Sequence, residues 1–202
     1  ARRGAMLHVV DLPSDHGFDI PSAARATKRV PCSACGLSKR HLLNHAALDG
    51  GYPVMATGHN LDDEAAVLFG NVMQWNVGYL ARQRPVLPAA DGFARRAKPL
   101  IRLSERETAA YCVLKGIDYI VDECPMAAGN RHLRYKEMLN EIEERSTGAK
   151  AAFYLQFLDQ MLPVLDAVAA AEKEQVRSCS RCGSPSTADV CAFCKLVERA
   201  TG

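Results

Sequence analysis

The 202-residue chain has no stretch approaching the roughly 18 consecutive apolar residues that a membrane-spanning helix needs, and no apolar signal-type core follows Ala1-Arg2-Arg3. No membrane association is therefore expected, and the expected compartment is cytoplasmic. A surplus of one charge is also missing: the net charge of +2 is too small to argue for a nucleic-acid partner by itself. Absent too is a glycine-rich turn between a strand and a helix of the kind that cradles phosphates, since Gly50-Gly51 closes a helical pattern instead of opening one. With 48% apolar and 24% charged residues, the composition is that of an ordinary soluble protein, long enough for one domain with an appendage.

Cysteine is abundant. Eight cysteines include three Cys-x-x-Cys pairs, 32/35, 179/182 and 191/194. Secreted disulfide scaffolds are usually shorter and poorer in helical pattern, so metal binding is the expected use. Cys179-Ser180-Arg181-Cys182 and Cys191-Ala192-Phe193-Cys194 place two chelating pairs eight residues apart, enough for a four-sulfur zinc site. The alternative is a pair of redox dithiols. A closed four-thiolate site has no position for substrate, so a structural role is expected, with folding dependent on metal.

Pro31 to Lys39 puts the remaining pair at the mouth of a helix that Ser33 is placed to cap and that stops at Gly50-Gly51. Cys35 and Lys39 are four apart and share a face, and a helix N-terminus beside a lysine favours thiolate. Cys124, far along the chain, makes a triad with Cys32 and Cys35. That pattern suits an iron–sulfur cluster with three protein sulfurs, a thioredoxin-like dithiol with an unrelated third cysteine, or half of a zinc site; spacing does not decide between them. Cys112, among Ala110, Val113 and Leu114, is expected to be an inert core cysteine.

Gly58-His59-Asn60-Leu61-Asp62-Asp63-Glu64 follows a short apolar run and precedes an amphipathic one. It reads as strand, turn and helix start, the junction where open α/β sheets hold ligands. Asn60 is the expected cap. Asp62 or Asp63 is placed to hold magnesium or orient phosphates, although acids in a first helical turn also simply complement the helix dipole.

Further strands are expected at Leu7–Leu12, Tyr52–Thr57, Pro99–Leu103 and Ile117–Val121, alternating with helices at 22–29, at 32 to about 49, and at 62 to about 76. A capping box at Ser104 and Glu107 opens another helix that runs to Lys115. Alternation of this kind predicts an α/β parallel sheet covered on both faces. From Arg131 the pattern is helical, first to about Arg145 and then from about Lys150 to Val176 with a bend at Pro163. The expected division is 1–126 for the α/β part, 127–177 for helices and 178–202 for the ribbon. Arg82, Arg84, Arg95, Arg96 and Lys98 in one exposed loop, with Arg131, Arg134 and Lys136, form candidate contacts to nucleic-acid phosphates.

Four motifs in this order, Cys-Ser-Ala-Cys-Gly-x-x-Lys-Arg, Gly-His-Asn-Leu-Asp-Asp-Glu-Ala, Glu-Cys-Pro-Met and Cys-x-x-Cys-Gly…Cys-Ala-Phe-Cys, resemble the tRNA 2-thiouridine synthetases over nearly all of the chain. The likeness is to the bacterial and archaeal group that thiolates the T-loop uridine, relatives of the eukaryotic wobble-uridine thiolases. The resemblance implies an ATP-pyrophosphatase (PP-loop, adenine nucleotide hydrolase-like) fold, helices and a zinc ribbon. It implies a tRNA uridine 2-sulfurtransferase that adenylates a uridine C2 oxygen with ATP and magnesium and inserts sulfur through a 4Fe-4S cluster on Cys32, Cys35 and Cys124. Lys39 and Asp63 match the catalytic and nucleotide-contacting groups, and Gly58 matches a backbone contact to the nucleotide. His59 is read as a structural or nucleotide-stacking group. The partners implied are tRNA and a ubiquitin-like sulfur carrier or sulfide, and a homodimer is possible. The chain departs from the family in lacking an N-terminal zinc ribbon and a Ser-Gly-Gly-x-Asp-Ser-type phosphate loop. It is therefore expected to be a piece of a longer protein, inactive alone. The competing class is a non-catalytic zinc-ribbon module that binds nucleic acid or a partner.

Overall fold

The structure, a computed structural model, describes residues 4–127, 129–171 and 176–202. In chain order its elements are α1 (Leu12–His16), α2 (Ile20–Thr27), α3 (Pro31–Asp49), β1 (Met55–Ala56), α4 (Leu61–Met73), α5 (Val77–Leu80), β2 (Val86–Leu87) and β3 (Arg96–Ala97). There follow α6 (Glu105–Lys115), α7 (Arg131–Arg145), α8 (Ala149–Gln156), a π-helical turn Phe157–Met161, α9 (Leu162–Ala171), β4 (Arg177–Ser178), β5 (Pro185–Ser186) and α10 (Ala192–Thr201). The described residues form two compact units. One comprises residues 4–52, 91–93 and 176–202; the other comprises 53–90, 94–127 and 129–171. This division differs from 1–126, 127–177 and 178–202, because the terminal ribbon groups with the first helices and the helical segment groups with the residues around α4.

In the first unit, Asp19 and Ser22 close a capping box over α2, and Lys28 ends that helix in the left-handed region at φ 52°. Pro31 occupies the first position of α3, where its missing N–H costs nothing. The cap is Val30, with no side-chain bond, so Ser33 lies inside the helix and accepts from Arg29 Nη1 at 3.4 Å instead of capping. Phe18, Ala23, Ala24, Ala34, Phe193 and Leu196 make the core of α2, α3 and α10, together with the sulfurs of Cys179 and Cys191.

In the second unit the core is Leu61, Leu68, Leu80, Ile101, Tyr154 and Phe157, with Ala65, Ala66 and Leu139 at the α4–α7 contact. Gly70 permits that approach: a Cβ there would lie 2.9 Å from the Tyr135 ring. Asn60 caps α4 in a reciprocal box with Asp63, and Ser104 caps α6 with Glu107. Between α8 and α9 the helical path passes through the π turn Phe157–Met161, two residues before Pro163, which has no N–H for a regular helical hydrogen bond. Of the helix expected up to Val176, residues 172–175 lie outside the described ones.

The predicted doubly covered parallel sheet is not formed among the described residues. Three two-residue strands pair in the order β1-β3-β2, with β1 parallel and β2 antiparallel to β3. Pro99–Leu103 contributes one parallel bridge, Leu100 to Asn60. Leu7–Val10 and Ile117–Val121 are not strands, and their side chains are exposed, Leu7 at 83% and Ile120 at 88%. Apolar runs like these are suited to a strand, but a strand also requires a neighbouring backbone for its N–H and C=O groups. Helix α6 likewise buries none of its residues; Leu114 is exposed, and Cys112 is half-buried instead of lying in a core.

Candidate functional site

The first turn of α3 carries Cys32 and Cys35, three residues apart and both half-buried. Ala34 and Ser38 turn inward, Ser38 Oγ donating to the Ala34 carbonyl at 3.0 Å, so the opposite face with Lys39 is left exposed. Cys124 belongs to the other unit, exposed in the turn before α7, where its carbonyl accepts from Ala127 N at 2.8 Å.

The β1–α4 junction shows how its acids divide. Asp63 Oδ2 accepts from Asn60 N at 3.1 Å, and Lys136 Nζ sits 2.7 Å from Asp63 Oδ1. Burial works against the Lys136 charge, but the Asp63 and Glu105 carboxylates outweigh it and hold its pKa above the ordinary lysine value. Asp62 turns inward: its two oxygens accept from Lys150 Nζ at 2.5 Å and Glu105 N at 2.7 Å. Glu64 is buried too, accepting from Lys98 Nζ at 2.7 Å and from Gln83 and Tyr154 at 3.2 Å each. Asp62 and Glu64 are thus committed to the core, leaving Asp63 as the half-exposed carboxylate. His59 Nδ1 meets Thr57 Oγ1 at 2.8 Å, and the space around Gly58 is open, with no atom within 4 Å of a Cβ placed there.

The expected exposed basic loop is largely committed as well. Arg84 pairs with Asp166 and Lys98 with Glu64, and Arg96 is half-buried; Arg82 and Arg95 are the exposed cations of the group. In the sequence Arg84 and Lys98 look free because their acids lie far along the chain.

The four terminal cysteines converge. Their sulfurs all lie within 4.8 Å of one another, with Cys179 and Cys194 separated by 4.0 Å and Cys182 and Cys191 by 3.7 Å. Zinc–sulfur bonds of about 2.3 Å in a tetrahedron set sulfur separations of about 3.8 Å, so the donors fit zinc as they stand. Backbone amides support the sulfurs: Cys191 N donates to Cys179 Sγ at 3.2 Å and Cys194 N to Cys191 Sγ at 3.4 Å. The Cys191 amide draws the Cys179 pKa down to about 6, whereas burial pushes Cys191 and Cys194 upward.

Sequence reasoning missed a histidine pair beside this ribbon. His41 and His45 are four apart on α3 with ring centroids 4.5 Å apart, and His41 stacks on Phe193 at 3.9 Å. Burial first, and then His45, lower the His41 pKa to about 4. The signal was the i, i+4 spacing itself.

Residues 176–195 match the RecR zinc finger domain family, a finger of the four-cysteine type. Over most of its length the chain shares its fold with a solved structure, the U34-tRNA thiolase NcsA from Methanococcus maripaludis with its [4Fe-4S] cluster: TM-score 0.64 and 24% identity, covering 83% of this chain and 52% of that one. The chain is similar in sequence to curated tRNA 2-sulfurtransferases. It is 51% identical to the tRNA-5-methyluridine(54) 2-sulfurtransferase of Thermus thermophilus over 97% of its own length and 60% of the relative's. The enzyme of that name from Pyrococcus horikoshii is 44% identical over 96% of this chain and 61% of the relative. The chain therefore spans about 60% of the length of these curated relatives.

Proposed function

We propose that this chain carries the sulfur-handling and tRNA-facing part of a tRNA uridine 2-sulfurtransferase. The observation that supports the reading most is the 51% identity to a tRNA-5-methyluridine(54) 2-sulfurtransferase across nearly the whole chain, with the half-buried Cys32–Cys35 pair at the start of α3. In that chemistry the uridine C2 oxygen takes the adenylyl group of ATP and releases pyrophosphate. Sulfur then replaces the oxygen, which leaves on AMP.

Lys39, long, exposed and cationic, is proposed to neutralise charge on the transferring phosphate. Asp63 is the carboxylate proposed to hold magnesium or orient the phosphates, since it is half-exposed where Asp62 and Glu64 are buried, and an ion or phosphate there would compete with its Lys136 pair. Gly58 and His59, in the open turn ahead of α4, are the proposed nucleotide contacts. The fold assigned to this part is that of the PP-loop ATP pyrophosphatases. Cys32, Cys35 and Cys124 are the proposed ligands of a 4Fe-4S cluster, which when bound supplies an iron without a protein ligand, open to sulfide. Cys179, Cys182, Cys191 and Cys194 are the proposed zinc ligands, and their role is structural. Arg82 and Arg95 are proposed to meet tRNA phosphates, with sulfur arriving from a ubiquitin-like carrier or as sulfide. A cytoplasmic location fits this chemistry, and among the described residues no helix is long and apolar enough to cross a membrane.

Anaerobic reconstitution with iron and sulfide tests the assignment. The expected product is a brown chain whose visible absorbance is lost in Cys124→Ala. A colourless chain that holds only zinc would overturn the assignment and favour a non-catalytic ribbon module.

A further inference from the structure

We propose that His41, His45 and Cys182 form a second divalent-metal site that shares the Cys182 sulfur with the four-cysteine site. One nitrogen of each histidine and the Cys182 sulfur lie within 4.8 Å of one another, all three residues half-buried. Two histidines at i and i+4 on one helix face form a natural chelate, because that spacing aligns both imidazoles toward a single point. Zinc and cobalt accept such mixed nitrogen and sulfur donors, and a set of three protein ligands leaves one coordination position for water.

The ribbon holds these rings in place. Ser184, two residues after Cys182 and itself buried, places its hydroxyl 2.6 Å from His45 Nε2 and 3.4 Å from His41 Nδ1. Ligating imidazoles characteristically carry an outer hydrogen-bond partner of this kind on the second nitrogen, and Ser184 is the candidate for it. Phe193 fixes the plane of His41 by stacking at 14°. An ion has access, because His41, His45 and Cys182 line a cleft of about 970 Å³ with His8 and His16 also on its walls.

Charge supports sharing. Four thiolates around one divalent cation leave a net charge of about −2, which a second divalent ion on a bridging thiolate would cancel. The competing role for the histidines is a polar clamp in which Ser184 alone satisfies them, with no metal in the cleft.

The test uses the whole chain with Cys32→Ser and Cys35→Ser, so that this pair cannot add to the count. Cobalt(II) is titrated anaerobically, and retained metal is measured by mass spectrometry. About two equivalents are expected, the first giving tetrathiolate charge-transfer bands and the second a new ligand-field spectrum. His45→Gln keeps a group able to bond Ser184, and it should retain the first equivalent and lose the second. A readout on the histidines of the unaltered site stands apart from this variant: the second equivalent should bring hyperfine-shifted imidazole N–H resonances that vanish in heavy water. Binding of only one equivalent, two equivalents retained in His45→Gln, or a second equivalent without shifted imidazole protons would each overturn the proposal.

Discussion

Lys150 reaches from α8 to Asp62 in the first turn of α4, Nζ to Oδ1 at 2.5 Å, with the two side chains only 8% and 4% exposed. The lysine also donates to Asn140 Oδ1 at 2.7 Å, so helices α4, α7 and α8 meet at one ammonium group. Removing one partner of a buried pair leaves the other charge unsolvated, at a cost of about 3–5 kcal/mol. Lys150→Met is therefore expected to lower unfolding free energy by about that amount in urea titrations. Lys150→Met combined with Asp62→Asn should cost less than the sum of the two single changes, since the orphaned carboxylate is gone. Strict additivity would show that the ion pair is not the link between these helices.

The contrast between Asp62 and Asp63 explains what the sequence could disclose. The Asn60 cap, the Ser104–Glu107 box and the Arg131–Arg145 helix are local patterns, and each is found where the sequence places it. The inward turn of Asp62 depends on a lysine 88 positions away, and the partner of Lys98 is 34 positions back; spacing within one element carries no trace of either. Leu7–Val10 and Ile117–Val121 failed as strands for a related reason. Apolar character is local, whereas the pairing backbone is not. The four-cysteine cluster was legible because each Cys-x-x-Cys knuckle is local, but the approach of Ser184 to His45 spans 139 positions.

Glu143 gives a pH-dependent effect with a definite sign. It braces the turn between α7 and α8, one oxygen accepting from Gly148 N at 2.7 Å and the other from Lys150 N at 2.8 Å. The Lys150 backbone bond is the main cause of a pKa held below the ordinary 4.5. A carboxyl depressed in the folded state contributes stability above its unfolded pKa, and this contribution disappears as pH falls through the lower folded value. Glu143→Gln should thus be less stable than the parent chain near neutrality, with the difference shrinking below about pH 4.5. Urea midpoints measured across that range check it, and a constant difference would remove the titration from the account.

Metal removal should act on one part of the chain. Cys179 and Cys191 pack directly into the core that holds Phe18, Ala23, Ala24 and Phe193, so losing the ion frees four sulfurs and loosens the packing around them. Small sites of this kind fold with their metal. After treatment with a strong chelator, amides of α10 and the β4–β5 hairpin are expected to lose hydrogen-exchange protection, while those of α4 and α7 keep theirs. Protected α10 amides in a metal-free chain would mean that the ribbon stands on its hydrophobic contacts alone.

Arg82 and Arg95 are the cations in the 79–98 region that intramolecular acids leave most accessible. Arg84 and Lys98 bind carboxylates of their own chain, whereas Arg82 lies 5.2 Å above the Tyr79 ring and Arg95 is exposed beside β3. Each phosphate contact made by a cation releases condensed counterions, so losing one contact weakens binding and lowers the salt slope by about 0.7–0.9. Arg82→Glu and Arg95→Glu are each expected to weaken tRNA binding and flatten its dependence on salt. Arg84→Glu should instead destabilise the fold, by placing a carboxylate against Asp166. Equal loss of tRNA affinity in all three variants with no change in salt slope would point to damage to the fold, and the two exposed arginines would lose their assignment as phosphate contacts.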